Sequence, residues 1–153
     1  MMTPHRTAAP PEAPSLVYLL KQVELAVRSH LDEITAAHGL TSPQYTALSV
    51  LARNPGMTGA RLARNAFVRV QSMAQTIAAL QARGLITREV DPASRRQLRI
   101  SLTPEGHDLV AAIQAPLVAL EQEMLEGMSA AEAEAFAAAL ERIRHRLSGS
   151  HAH

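Results

Sequence analysis

The segment that most constrains the fold of this chain covers residues 87–106 and reads TREVDPASRRQLRISLTPEG. Residues 87–90 and 98–102 have the composition of short strands, and the intervening DPAS has that of a tight turn. The segment therefore predicts a narrow two-stranded hairpin, or wing. Three arginines are expected to project from it: Arg95, Arg96 and Arg99. This concentration of positive charge indicates a phosphate backbone as the target.

The distribution of charge along the chain supports the same target. Residues 61–99 carry eight arginines against two acids, whereas residues 100–153 carry three arginines against eight acids. The net charge of +1 therefore conceals a strongly basic middle segment. Such a segment is typical of a nucleic-acid-binding module within an otherwise ordinary protein. A solvated basic face is the alternative explanation of this charge pattern taken alone.

Length and composition favour one cytoplasmic domain. The absence of cysteine excludes disulfides, thiolate zinc sites and cysteine-based redox sensing. No apolar run approaches the roughly 18 to 20 residues that cross a bilayer, so no membrane contact is expected. Residues 1–14 lack the apolar core of a signal peptide and are interpreted as a flexible arm. Residues 15–147 are expected to form the domain, and residues 148–153 a frayed tail.

Apolar residues at helical spacing predict three helices before residue 67. The first ends at Gly39, and its apolar stripe consists of Leu16, Leu20, Val23, Val27, Leu31 and Ile34. The second is expected to have Ser42 as its N-cap and Pro43 in its first turn. Its inward residues are Tyr45, Leu48 and Leu51. The third is short and capped by Thr58, with Arg61 and Arg64 facing outward.

A fourth predicted helix, about Arg69 to Arg83, combines an apolar side with an uncharged polar side. The inward side consists of Val70, Met73, Ile77 and Leu80. The opposite side carries amides and hydroxyls: Gln71, Ser72, Gln75 and Thr76. These groups suit base edges in the major groove, while the arginines at the helix ends suit phosphates. A merely soluble helix face is the alternative interpretation of this helix alone.

Two more helices are expected after the wing. Thr103 and Pro104 begin the fifth, in which Pro116 is predicted to cause a kink rather than an end. A capping box formed by Ser129 and Glu132 begins the sixth. The fold class is therefore mainly α with a small β-hairpin, in which residues 42–103 form a winged helix-turn-helix module.

The helices that flank this module, in residues 15–39 and 103–147, have apolar stripes without an evident partner in so small a domain. Such stripes imply a homodimer. Its expected interface residues are Leu16, Leu20, Leu120, Phe136, Leu140, Ile143 and Leu147. A two-fold dimer would place two recognition helices about 34 to 36 Å apart on a pseudo-palindromic duplex.

The chain resembles the MarR-type transcriptional regulators from about residue 15 to 147. The resemblance is most specific in LARNAFVRVQSMAQTIAALQARGLI and in DPASRRQLRISLTPEG, which is similar to the family's Asp-Pro-x-Asp-Arg-Arg followed by Leu-Thr-x-x-Gly. It implies that Arg96 is the wing arginine that enters the minor groove. Leu102, Thr103 and Gly106 then form the strand-to-helix junction. Ser94 departs from the family pattern, because an aspartate that steadies the wing arginine is usual there.

The resemblance also implies a repressor or activator whose DNA affinity changes when a small lipophilic or aromatic-acid effector binds. Four residues are candidates for the effector pocket: His30, Ile34, His38 and Tyr45. Structural roles for the two histidines are the alternative. A zinc site from Glu24, His30, His38 and His107 is disfavoured, since no HxxxH pair or thiolate is present. No metal or cofactor is therefore expected.

Two other classes of protein compete with a DNA-binding regulator. An enzyme is disfavoured because no G-x-S-x-G, P-loop, HExxH or dinucleotide-binding motif occurs in the sequence. A helical protein-interaction module, of the kind that antagonises sigma factors, would explain the apolar helices. It would leave the two adjacent arginines of the wing, Arg95 and Arg96, without a role.

Overall fold

A computed structural model describes residues 13–149 and has six helices and one antiparallel hairpin. The helices are α1 (Leu16–Ala36), α2 (Ser42–Arg53), α3 (Gly59–Asn65), α4 (Val70–Ala82), α5 (Pro104–Met124) and α6 (Ala130–Gly149). The strands are β1 (Ile86–Asp91) and β2 (Ser94–Leu102). The predicted fold class is therefore confirmed. Most of the predicted arm and tail, residues 1–12 and 150–153, lies outside the described residues.

The chain divides at Val110 into two compact units. The first contains α1 to α4, the hairpin and the start of α5, and the second contains the rest of α5 and all of α6. The core of the first unit joins α2, α3, α4 and β2. Its fully buried large side chains include Leu48, Leu51, Leu62, Met73, Leu80 and Ile100. The inward residues predicted for α2 are therefore confirmed.

The predicted N-cap of α2 was wrong by one residue. Thr41 is the cap: its hydroxyl accepts the Gln44 N–H at 3.3 Å, and the Gln44 side-chain oxygen accepts the Thr41 N–H at 3.1 Å. This capping box satisfies two backbone donors at once, which a cap at Ser42 would not do. Ser42 instead donates a hydrogen bond to Asp32 of α1.

The inward side predicted for α4 is correct except at its first residue. Met73, Ile77 and Leu80 are buried, whereas Val70 is 59% exposed. Val70 lies at the edge of the stripe and at the first turn of the helix, where the neighbouring elements no longer cover it.

The hairpin is longer than predicted but has the predicted turn. β1 and β2 pair from Ile86 opposite Leu102 to Asp91 opposite Ser94, and residues 92–93 connect them. The base of the wing is also attached to the connection between α2 and α3. Ile100 donates its N–H to the Met57 carbonyl at 2.8 Å, and the Ile100 carbonyl accepts the Gly56 N–H at 3.0 Å. The root of the wing is therefore fixed on two sides.

The junction between β2 and α5 is held by Thr103. Its hydroxyl donates to the Gly84 carbonyl at 2.6 Å and accepts the Gly106 N–H at 3.1 Å. At Gly106 the chain approaches the connection between α4 and β1 so closely that a Cβ atom would lie 2.2 Å from the Leu85 carbonyl oxygen. Gly106 is therefore required here by the lack of space rather than by its backbone angles.

In the second unit, the predicted start of α6 is confirmed by a reciprocal cap. Glu132 donates its N–H to the Ser129 hydroxyl at 3.1 Å, and the Glu132 carboxylate accepts the Ser129 N–H at 3.2 Å. The helix α5 continues through Pro116. Between residues 13 and 149, no helix is both long enough and apolar enough to span a membrane.

Candidate nucleic-acid interface

The helix α4 presents the polar face that its sequence predicted. Gln71, Ser72 and Gln75 are exposed, and within the described residues their side chains make no hydrogen bond. Thr76 is half-buried, and its hydroxyl donates to the Ser72 carbonyl at 3.2 Å. Three of the four predicted base-contacting side chains are therefore available to an external partner, while Thr76 has its donor engaged.

An open groove of about 780 Å³ lies between the start of α2 and α4. It brings together four residues that the sequence predicted to contact DNA: Arg69, Ser72, Gln75 and Thr76. Thr41 and Gln44 add polar groups on its opposite side, and the guanidinium of Arg69 is the single charged group among its lining residues. This composition allows hydrogen bonding to a neutral base edge beside contact with a phosphate.

The eight arginines of residues 61–99 divide into a paired and an unpaired group. In the paired group, Arg83 donates to the Gly39 carbonyl at 2.7 Å, Arg88 donates to the Gln81 side-chain oxygen at 2.7 Å, and Arg99 lies 3.2 Å from the Asp91 carboxylate. The unpaired group has exposed guanidinium groups that make no hydrogen bond or ion pair with the part of the chain that the structure describes. It consists of Arg61, Arg64, Arg69, Arg95 and Arg96.

The ion pair of Asp91 and Arg99 supports the turn of the wing. Asp91 is 7% exposed, and its carboxylate accepts the Ala93 N–H at 2.9 Å in addition to the contact with Arg99. The Ala93 N–H and the Arg99 guanidinium lower the pKa of Asp91 against the opposing effect of burial. The wing therefore has an acid that holds an arginine, but this arginine is Arg99. Arg96 has no acidic partner among the described residues, in agreement with the serine at position 94.

A second cleft, of about 370 Å³, lies between α3, α4 and the wing. Met73, Ile77 and Ile100 are among its apolar lining residues, and Arg88 and Arg96 are its charged ones. The sequence did not single out Arg88. Its contact with Gln81 crosses the turn at Gly84, and no helical or strand period relates these two positions.

The candidate effector residues differ in exposure. His30 is exposed, Ile34 and His38 are half-buried, and Tyr45 is buried. Neither the groove nor the cleft is lined by any of them. Of the residues weighed for zinc, Glu24 pairs with Arg28 one turn along α1. Across residues 13–149, the structure has no cluster of three His, Asp or Glu side chains that could hold a metal ion.

The predicted interface residues are mostly exposed. Leu120 is half-buried, and the others are between 39% and 77% exposed: Leu16, Leu20, Phe136, Leu140, Ile143 and Leu147. Large apolar side chains exposed at helical spacing indicate a surface that associates with another molecule.

Comparison with known proteins identifies the class to which this winged fold belongs. The sequence pattern of the MarR family matches residues 38–97. The HTH-type transcriptional repressor Rv2887 of Mycobacterium tuberculosis is 31% identical over 128 residues, which cover 84% of this chain and 92% of the relative. The chain belongs to the MarR family of transcriptional regulators.

Two solved structures of the MarR family protein Rv2887 from M. tuberculosis share the fold. Its complex with DNA has a TM-score of 0.70 and 29% identity, and covers 86% of this chain and 98% of that one. Its complex with salicylic acid has a TM-score of 0.68 and 31% identity, and covers 87% and 98% of the two chains.

Proposed function

We propose that this chain is a homodimeric repressor that acts in the cytoplasm, binds a pseudo-palindromic DNA duplex and is released by a small aromatic acid. The observation that carries the proposal is the division of the arginines. Five guanidinium groups are exposed and unpaired within the described residues, and the same module presents a helix face of amides and hydroxyls. Phosphates require the first kind of group and base edges the second.

A protein-interaction module without DNA binding accounts less well for this surface. Such a module needs apolar helix faces, which α1 and α6 provide, but it has no use for exposed arginines on α3, at the N-cap of α4 and on β2 together. The DNA complex of Rv2887 supports the same choice, since that relative has the same fold.

The exposed apolar residues of α1 and α6 are the proposed dimer interface. Each apolar square ångström removed from water contributes roughly 25 cal/mol, so covering these side chains with a second copy is favourable. A two-fold axis would present two copies of α4 to the same face of the duplex, about 34 to 36 Å apart.

For the effector, the salicylic acid complex of Rv2887 suggests the chemical class. We assign its pocket in this chain to His30, Ile34, His38 and Tyr45, because buried Tyr45 and half-buried Ile34 and His38 combine apolar surface with a few polar groups. Salicylate should raise the melting temperature of the protein and release bound DNA. In His38→Ala, which keeps the DNA-binding surface, both responses should weaken.

The experiment that tests DNA binding is a salt titration of duplex affinity by fluorescence anisotropy. Log affinity should fall with log salt by about 0.9 for each neutralised phosphate, so several of the five arginines per chain would produce a steep slope. A flat response would contradict the proposed function.

A further inference from the structure

Val70 is exposed where the apolar pattern of α4 predicted it to be buried. It is the first residue of the helix and is 59% exposed, whereas Met73 is 1% exposed. Valine forms helices less readily than alanine, so helix formation does not explain a valine at an exposed position. Core packing does not explain it either.

Four large apolar side chains of the winged module are exposed: Phe67, Val70, Val90 and Leu98. Val90 and Leu98 lie opposite each other in the hairpin register, which gives each of them an apolar neighbour. Phe67 lies in the connection between α3 and α4. Val70 is therefore the one member of this set that belongs to the helix with the candidate base-reading face.

The surroundings of Val70 are basic and polar. Arg69 precedes it as the N-cap of α4, Gln71 follows it, and Arg96 of the wing lines the same cleft. Both arginines are unpaired within the described part of the chain. A partner that covers Val70 must therefore carry negative charge next to a small apolar group.

We propose that Val70 contacts the 5-methyl group of a thymine in the major groove. This assignment rests on the proposed DNA-binding function. The first residues of a recognition helix are those that reach base edges, and an apolar side chain is the usual partner of the thymine methyl. Val70 occupies the first position of α4, so its exposure places an apolar group where the base edges pass.

The other residues of α4 favour an A·T base pair at this position. The helix VQSMAQTIAALQA contains no arginine or lysine, which are the usual partners of guanine. Gln71 and Gln75 are exposed amides, which pair bidentately with adenine N6 and N7. An A·T pair displays these adenine atoms and the thymine methyl side by side in the major groove. The part of each half-site under the start of α4 therefore contains A·T pairs.

The test removes the methyl group alone. A duplex is first selected by the full-length wild-type protein from a random library, and is then synthesised with thymine or with deoxyuridine, which pairs identically but lacks the 5-methyl. The wild type should lose about fourfold in affinity for each contacted methyl, the equivalent of one methylene-sized group left in water. Val70→Ala should bind both duplexes equally, at the level of the wild type on the deoxyuridine duplex.

Val90→Ala is the matched control, because Val90 is 56% exposed but lies on β1. It should keep the full preference for thymine. Equal binding of both duplexes by the wild type, or an undiminished preference in Val70→Ala, would overturn the assignment while leaving the proposed function intact. A library from which no common sequence is selected would overturn both.

Discussion

The winged module and the long helix α6 have the same kind of apolar stripe but use it differently. In the module, Leu48, Leu62 and Leu80 are completely buried by neighbouring elements. In α6, Phe136, Leu140 and Ile143 are each about 40% exposed, although they recur at the same helical spacing. An apolar stripe therefore predicts a surface that packs against something, but it does not predict whether that is the same chain or another one.

The winged module and α6 should therefore depend on different contacts for their stability. The module should owe its stability to contacts within one chain, and α6 should owe part of its stability to a second copy. Substitutions in the two regions should accordingly change different measured quantities, namely the free energy of unfolding in the first case and the dimer dissociation constant in the second.

The largest effect is expected at Gly106. In Gly106→Ala the new Cβ would meet the Leu85 carbonyl oxygen at 2.2 Å, so the backbone must shift at the junction of β2 and α5. We expect a loss of about 3 kcal/mol or more in the free energy of unfolding, measured by urea denaturation. Gly59→Ala is the control, because its Cβ would make an ordinary contact of 3.5 Å with Ile77. A Gly106→Ala variant as stable as this control would contradict the close approach.

In α6, Leu140→Asp should weaken dimerisation. A charge at the centre of an apolar interface is expected to cost about 2 to 4 kcal/mol of dimerisation, or roughly thirtyfold to a thousandfold in the dissociation constant. Sedimentation velocity at graded concentrations measures it. Ala138→Asp introduces the same charge on the opposite side of α6 and should leave the dimer intact. If Leu140→Asp sediments like the wild type, the interface lies elsewhere.

Within the module, two arginines of the wing allow a finer comparison between a guanidinium without an acidic partner and one that is paired. Arg96→Ala should weaken binding to every duplex sequence and reduce the slope of log affinity against log salt by about two, because each of the two chains of the dimer loses one cationic contact with the duplex. Arg99→Ala removes an arginine that is already paired with Asp91 and should lower the slope less. Equal slopes for the two variants would show that the ion pair of Arg99 with Asp91 breaks when the protein binds DNA.

The smallest expected effect is a pH dependence at Asp91. Its folded-state pKa is lowered by the Ala93 N–H and by Arg99, so its stabilising contribution is complete above the ordinary carboxyl value of about 3.9 and is lost as the pH falls through the lower folded value. Wild type should melt at a higher temperature than Asp91→Asn at pH 7, and the difference should shrink below pH 4. A constant difference across this range would assign the effect of the substitution to something other than the charge.

Much of this arrangement could be predicted from the sequence because it depends on local rules. Gly39, Gly84 and the capping box at Ser129 mark helix ends through residues that are close in sequence. The amide and hydroxyl face of α4 follows from helical periodicity alone. Membership of the MarR family was likewise recognised from the residues of the wing and of α4, and is confirmed.

What the sequence did not predict depends on contacts between distant residues. Val70 fits the inward period, but only the positions of α3 and the wing determine that nothing covers it. The pairing of Arg99 with Asp91 and of Arg88 with Gln81 likewise arises from the hairpin register and the turn at Gly84. An arginine in a sequence is a potential DNA contact until its neighbours in space are known.

The central claim is that α4 reads bases while the unpaired arginines hold phosphates. It is tested most directly by the affinity ratio between a selected duplex and a scrambled duplex of equal composition. Gln75→Ala should reduce this ratio by the equivalent of about 1 to 3 kcal/mol, whereas Arg96→Ala should weaken both affinities and leave the ratio nearly unchanged. A ratio that is unaffected by Gln75→Ala, with Arg96→Ala binding like the wild type, would contradict the account.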